Sequence, residues 1–252
     1  MKRILFTTVS LGVLGLMSPA LAADLPAYTK AAPVVAPVYD WSGIYIGAYG
    51  GGGMGNHNYN NGTANGFSNS LFNYDSSGGI AGGEVGWNGQ SGNLVGGLEL
   101  TGFWSGIKGS DASQFNNGTL PIGAIDQSNL RWGGAVLARG GIAVDRLLLF
   151  FTGGWAYGDI LHTNTNQFPV PGLHPVDQFS VTRSGLTAGG GIAYAITNNL
   201  IGKFEYRYFD LGAFSRANPT NGLPPYTVNN TYSVITVGLD FKFGASPVLA
   251  KY

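Results

Sequence analysis

Lys203-Phe204-Glu205-Tyr206-Arg207-Tyr208 puts three charges on one face of an extended chain and three aromatic rings on the other. Strict alternation of this kind is the signature of a β-strand with two unlike environments, and here it predicts a strand over Leu200–Leu211. The predicted strand Thr231–Phe243 repeats it. Ile235, Val237, Leu239, Phe241 and Phe243 oppose Thr236, Gly238, Asp240 and Lys242. In a soluble antiparallel sheet the charged face meets water and the apolar face the core. In a transmembrane barrel the assignment is inverted, apolar to lipid and polar to lumen. Period two alone does not choose between them, so a soluble lipocalin-like barrel stays open at this point. The glycines favour the membrane reading. Gly43, Tyr45, Gly47 and Tyr49 share one face, as do Gly185, Gly189 and Gly191. Small residues beside bulky ones suit a narrow barrel interior, although glycine also marks bulges.

Working outward, eight segments alternate in this way: Ser42–Gly52, Gly79–Asn88, Leu94–Gly106, Arg131–Val144, Leu147–Gly158, Arg183–Ile196, Leu200–Leu211 and Thr231–Phe243. Tight connections at Gly89–Asn93, Asp145-Arg146 and Thr197–Asn199 alternate with long Asn-, Gly-, Ser- and Pro-rich stretches near 53–78, 107–130, 159–182 and 212–230. An even strand number, with short turns on one side and long loops on the other, predicts an all-β fold. The expected architecture is an eight-stranded antiparallel up-and-down transmembrane β-barrel with short periplasmic turns and four long extracellular loops.

Composition agrees. Charged residues are only 10% of the chain, aromatic residues 13%, and there are 42 glycines, against about a quarter charged in an ordinary soluble domain. A hydrophobic content of 44% argues against disorder. Cysteine is absent, so no disulfide scaffold is available. The start Met1-Lys2-Arg3, the apolar run Ile4–Met17, Pro19 and Ala20-Leu21-Ala22 read as a secretory signal over residues 1–22. The run is short for a membrane-spanning helix. A Pro/Ala-rich periplasmic leader is expected over 23–40, the barrel over 41–243, and a tail over 244–252. Without Lys2 and Arg3 the chain has 11 basic against 13 acidic residues. No basic run points to nucleic acid.

The chain resembles the small outer-membrane β-barrel proteins of alphaproteobacteria, the 25- and 31-kilodalton surface-antigen type within the OmpA-like barrel class. The resemblance rests on Trp41-Ser42-Gly43-Ile44-Tyr45-Ile46-Gly47, Gly82-Gly83-Glu84-Val85-Gly86-Trp87-Asn88, Asp145-Arg146-Leu147 and Thr152-Gly153-Gly154-Trp155-Ala156-Tyr157-Gly158. It continues through Gly189-Gly190-Gly191-Ile192-Ala193-Tyr194-Ala195 and Glu205-Tyr206-Arg207-Tyr208-Phe209-Asp210-Leu211-Gly212. It covers about residues 41 to 243 and implies a cell outer-membrane location. Its implied partners are outer-membrane lipid and lipopolysaccharide, the barrel-assembly machinery, and a host or surface ligand at the loops. Leu137-Ala138-Arg139 stands where the family has an Arg-Gly-Arg run, and Ala193 where it tends to have Glu. These departures suggest an inward ion pair lost from both sides together, because a lone buried charge is costly. The chain also continues from Phe243 to Tyr252, where such barrels commonly end on an aromatic residue.

Few residues could carry chemistry. The three glutamates, Glu84, Glu99 and Glu205, together with Asp240, fall at interior strand positions facing Arg139, Lys203, Arg207 and Lys242. Four acids and four bases in one lumen are expected to pair, leaving an eight-stranded interior largely filled. Glu84 with Glu99 as an acid/base pair is the enzymatic alternative, but no nucleophile accompanies them. His57, His162 and His174 fall in predicted loops without metal-ligand spacing, with His174 and Asp177 as the nearest local pair. No cofactor and no metal are expected. Trp41, Trp87, Trp104, Trp132, Trp155, Tyr157, Tyr208 and Phe243 lie towards strand ends and are candidates for two aromatic girdles. The function read from these features is that of an integral outer-membrane protein with a structural or surface-interaction role. A small-solute pore is the first alternative and an outer-membrane barrel enzyme the second.

Overall fold

The computed structural model describes residues 39–61, 71–116, 121–166, 176–218, 220 and 225–244. The expected signal segment, most of the leader, His174 and the tail from residue 245 lie outside the described residues. Eight strands follow one another: β1 (Gly43–Asn61), β2 (Leu71–Ser91), β3 (Leu94–Asn116), β4 (Pro121–Val144), β5 (Leu147–Asn166), β6 (Val176–Ala195), β7 (Leu200–Arg216) and β8 (Tyr226–Lys242). Each pairs antiparallel with the next, and β1 also pairs with β8, from Tyr45↔Lys242 to Asn61↔Tyr226. The sheet is therefore a closed barrel, the strand arrangement that satisfies backbone groups inside a bilayer, with the β6–β7 ladder confined to its lower part, from Leu186↔Asp210 to Ala195↔Ile201.

The strands are much longer than the sequence reading placed them. Gly53–Asn60, assigned there to a loop, pairs with Leu71–Gly78 on one side and with Thr227–Val234 on the other. Parts of the other predicted loops, Ile107–Asn116 and Asp159–Asn166 among them, are likewise strand. The Asn and Gly content that reads as loop is here compatible with a ladder standing in water, where outward side chains such as Asn56 and Asn58 are polar. The 24 residues of β4, rising about 3.3 Å each at about 40° of tilt, reach about 60 Å. A hydrocarbon core needs about half of that, so the barrel projects well beyond the membrane at its loop end. At the opposite, turn end the connections are tight. Gly92 (φ 60°) and Asp145 (φ 51°) adopt the left-handed conformation that a short hairpin requires.

Orientation decides between the two barrel readings. Lys203, Glu205 and Arg207 are 5%, 2% and 7% exposed, whereas Phe204, Tyr206 and Tyr208 are 46%, 45% and 40% exposed. Ile44, Ile46, Leu98, Leu100, Phe151, Leu186, Val237 and Leu239 also face outward. An apolar belt of that extent is far beyond what a soluble monomer shows. The soluble lipocalin-like alternative is thereby excluded. Inward glycines make room for inward rings: a Cβ on Gly82 would lie 2.7 Å from the Tyr49 ring, and one on Gly86 would collide with Tyr45. Bulges exist as well, as register shifts at Trp104/Ile107, Leu130/Trp132 and Asp210/Ala213, the last containing Gly212 at φ 71°.

Three apolar clusters fill the interior. One at the turn end includes Tyr39, Trp41, Val95, Leu148, Phe150, Ala193 and Ile201. A central one includes Ile80, Phe103, Ile107, Leu130, Leu137, Ile160, Phe209 and Val234. A third, towards the loop end, comprises Tyr59, Tyr74, Tyr226 and Val228. Polar residues occupy the two levels between them.

Candidate functional site: the filled lumen

The lower polar level is a charge cluster, built because β2, β3, β4 and β7 each aim long side chains at the axis. Lys203 Nζ bonds Glu84 and lies 3.4 Å from Glu205 and 3.6 Å from Glu99. Arg207 Nη2 reaches Glu205 at 2.6 Å and Glu99 at 3.1 Å, and its Nε donates to Glu205 at 3.0 Å. Arg139 Nη1 donates to the Tyr45 hydroxyl at 3.0 Å and lies 3.4 Å from Glu99, with its guanidinium 3.9 Å over the Phe150 ring. Tyr45 donates to Glu99 at 2.8 Å, and Thr152 to Glu205 at 3.1 Å. Three acids and three bases, all buried, join four strands across the lumen, and Tyr45 on β1 and Thr152 on β5 extend the network to six. Charges so enclosed hold only because each has partners.

One residue expected in this network sits elsewhere, and another stands at its edge. Lys242 turns to the mouth, where Nζ bonds the Asp40 carbonyl and lies 4.4 Å over the Tyr39 ring. The approach of residues 39–41 to the end of β8 offers it a nearer acceptor than the cluster. Asp240, buried beside Gly47, stands at the edge of the cluster in side-chain contact with Glu84 and within electrostatic reach of Lys203 and Arg139, while its Oδ1 has no hydrogen-bond partner among the described residues.

The departures at Leu137 and Ala193 do not mark a lost ion pair. Both side chains point inward, each 1% exposed, but they belong to different layers. Through Gly154, Leu137 aligns with Thr187, six residues from Ala193 on β6, which is about 20 Å along a strand.

Of the eight girdle candidates, Trp87, Trp104, Trp132, Trp155, Tyr157, Tyr208 and Phe243 face outward. Trp104 pairs with Trp132 in the ladder, and Trp132 meets Tyr157 edge-on at 6.1 Å. Trp41 does not belong with them. It is 1% exposed and lies in the mouth at the turn end, against Tyr39 at 5.0 Å. Its Nε1 donates to Asp145 O at 3.1 Å, and its backbone N–H to Gln90 Oε1 at 2.7 Å. Tyr39 donates from its backbone to Asp145 Oδ1 and from its hydroxyl to Asn198 O. Residues 39–41 thus touch all three tight turns and act as a cork. Reading Trp41 from its nearness to a strand end missed this, because the residue precedes β1 and is not bound by its alternation.

The upper polar level holds residues that sequence reasoning placed in loops. His57 and His162 are 0% and 1% exposed. His57 Nδ1 lies 2.7 Å from Asn230 Oδ1, and its Nε2 lies 2.9 Å from Ser76 Oγ. The neutral imidazole protonated on Nδ1 satisfies both contacts. Tyr74 donates to Ser128 Oγ at 2.8 Å, and Ser128 lies 2.9 Å from His162 Nδ1. The His162 ring stacks on Phe179 at 5.4 Å. These groups stand above the outward aromatic belt, beyond the segment that crosses the membrane. Burial holds His57 below the ordinary histidine range and pushes His162 down to about 3. Both are therefore neutral at physiological pH. The signal that could have found them is the alternation Gly53-Gly55-His57-Tyr59 against Met54-Asn56-Asn58-Asn60.

Ser76, His57 and Asn230 present a hydroxyl, an imidazole and an amide in the order of a nucleophilic triad. All three are at most 2% exposed, enclosed between the central apolar cluster below and the Tyr59–Tyr74–Tyr226 cluster above. Asp177 was paired in the sequence with His174. It faces inward and accepts from Arg216 at 2.9 and 3.1 Å and from Thr220 at 2.8 Å. No group of three metal-ligating side chains occurs among the described residues.

No protein-family model matches the chain. It is 33% identical over 232 residues to the 31 kDa outer-membrane immunogenic protein of Brucella melitensis biotype 1, covering 89% of this chain and 93% of that protein. It is 29% identical over 198 residues to the 22 kDa outer membrane protein of Rhizobium leguminosarum bv. viciae, covering 75% of this chain and 77% of that one. Among solved structures, OprG from Pseudomonas aeruginosa aligns at 13% identity over 81% of this chain and 98% of its own, with a TM-score of 0.48. An inverted polar-in, apolar-out barrel and a relative of that identity and coverage lead to one conclusion: the chain is an integral outer-membrane β-barrel and belongs to the family of the 31 kDa outer-membrane immunogenic proteins.

Proposed function

We propose that this barrel is a closed structural and surface-interaction element of the outer membrane, neither a solute pore nor an enzyme. One observation carries the reading: the lumen is crossed by the Glu84–Glu99–Arg139–Lys203–Glu205–Arg207 cluster and filled above and below it by apolar side chains. An eight-stranded interior is just wide enough for side chains to fill, and an apolar layer excludes both water and ions. The sealed Ser76–His57–Asn230 chain supports a non-catalytic role. With the tight turns in the periplasm, the long ladders project outward from the cell. The relatives are named immunogenic, which supports exposure of that end to a host or other surface ligand. Outer-membrane lipid and lipopolysaccharide surround the belt, and the barrel-assembly machinery inserts it.

Purified protein in planar bilayers tests the closed lumen. The expected record is a flat baseline with at most rare, brief events. Steady, large conductance steps would replace this reading with that of a pore.

A further inference from the structure

We propose that the outer wall of β3–β6, immediately above Trp104, Trp132 and Tyr157, binds the phosphorylated headgroup of an outer-leaflet glycolipid, with Lys108 and Arg131 as its anion contacts. The proposal makes specific the lipid contact of the preceding reading.

The register builds the site. Lys108 aligns with Asn129, which aligns with Leu161, and Ser110 aligns with Gln127, Thr163 and Gln178 across the same four strands. These residues line a groove of about 500 Å³. Beside Leu161 its lining brings together one ammonium with amides and hydroxyls, the donor set that suits phosphate and sugar oxygens. Below it, Trp104 is 75% exposed and Trp132 packs on Tyr157, which are rings suited to the headgroup level of a bilayer. The groove therefore opens where acyl chains give way to headgroups.

Charge supplies the second argument. Lys108 is exposed and makes no hydrogen bond or ion pair among the described residues. Arg131 stands in the β4 bulge, where the register shift swings it outward. Its Nε donates to Asp159 Oδ2 at 2.6 Å and its Nη2 to Ser180 at 2.7 Å, which fixes the guanidinium beside the groove. Asp159 is buried and occupied by Arg131 and Ser180. The outward acid on the neighbouring strand, Asp75, accepts from Asn56 at 3.0 Å. A free cation and a pinned one over an aromatic shelf match an anionic lipid head and offer little to a zwitterionic one.

The test uses the folded barrel in nanodiscs and lipid A as probe, either bisphosphorylated or enzymatically dephosphorylated, with retention read by native mass spectrometry. Lys108→Gln leaves the Arg131–Asp159 pair intact and is checked for folding by heat-modifiable gel migration. The expected result is about a fivefold loss of phosphorylated lipid A binding, with Lys108→Arg restoring it. Dephosphorylated lipid should bind the unsubstituted protein no better than phosphorylated lipid binds Lys108→Gln. Inorganic phosphate at matched concentration should not displace the lipid. Equal retention of the two lipids, an unchanged Lys108→Gln, or full displacement by inorganic phosphate would each overturn the proposal. A conducting lumen would show in bilayer recordings and leave these retentions unaltered, so the two readings fail separately.

Discussion

Replacing Glu99 with alanine lowers the stability of the reconstituted barrel by about 3–5 kcal/mol, the cost of breaking a buried ion pair by removing one partner. Glu99 is the residue through which the cluster is joined. Its carboxylate meets Arg139, Lys203 and Arg207 and accepts from Tyr45. Without it, Arg139 has no ion-pair partner among the described residues and Arg207 keeps only Glu205, in a closed, low-dielectric space. Glu99→Gln keeps the shape and removes the charge, so it is expected to fall between the two. Because the loss is one of ion pairing, Glu99→Gln combined with Lys203→Met is expected to recover part of it, as non-additivity between contacting residues. Urea unfolding of the protein in lipid bilayers, followed by tryptophan fluorescence, reads each step. If Glu99→Ala unfolds at the same urea concentration as the unsubstituted protein, the cluster does not hold the barrel together.

Trp41→Ala removes the centre of the cork and is expected to cost about 3–5 kcal/mol, as for a buried Trp replaced by Ala. Its indole packs on Tyr39, donates to Asp145 O and fills the mouth next to Phe150 and Leu148. A girdle tryptophan in lipid would lose far less, since its ring is half-exposed to solvent of similar polarity. The same urea experiment separates the two. Trp155→Ala, an outward residue of the same type, serves as the comparison and should shift the midpoint by a small fraction of the Trp41→Ala shift. Equal shifts would return Trp41 to the girdle.

Much of this was legible in the alternation of single strands. Lys203-Phe204-Glu205-Tyr206-Arg207-Tyr208 states which residues share a face, and low overall charge with an export-like start states which face meets lipid. What alternation does not carry is height. It put Glu84, Glu99, Lys242 and Asp240 on the inward side alike, but the register between strands decides that Lys203 reaches Glu84 and Glu99 while Lys242 ends at the mouth. Height also separates Leu137 from Ala193, which faced the same lumen and were linked on that basis alone. The upper ladders were hidden for another reason. Gly, Asn and Ser are turn formers in isolation, and in Gly53–Asn60 their presence outweighed a period-two pattern that placed His57 and Tyr59 inside. The cork was illegible because residues 39–41 are held by hydrogen bonds to turns some 50 to 160 positions away, contacts with no local trace.

The chain contains no cysteine, so single cysteines carrying nitroxide labels can be placed one at a time at positions 203 to 208 in the membrane-reconstituted protein. Collision with lipid-soluble oxygen and with a water-soluble relaxation agent then reports the face and the filling of the lumen together. The account predicts high oxygen access at 204, 206 and 208, and low access to both agents at 203, 205 and 207. The opposite phase would contradict the polar-in, apolar-out barrel, and access of the water-soluble agent to 203, 205 and 207 would contradict a filled lumen.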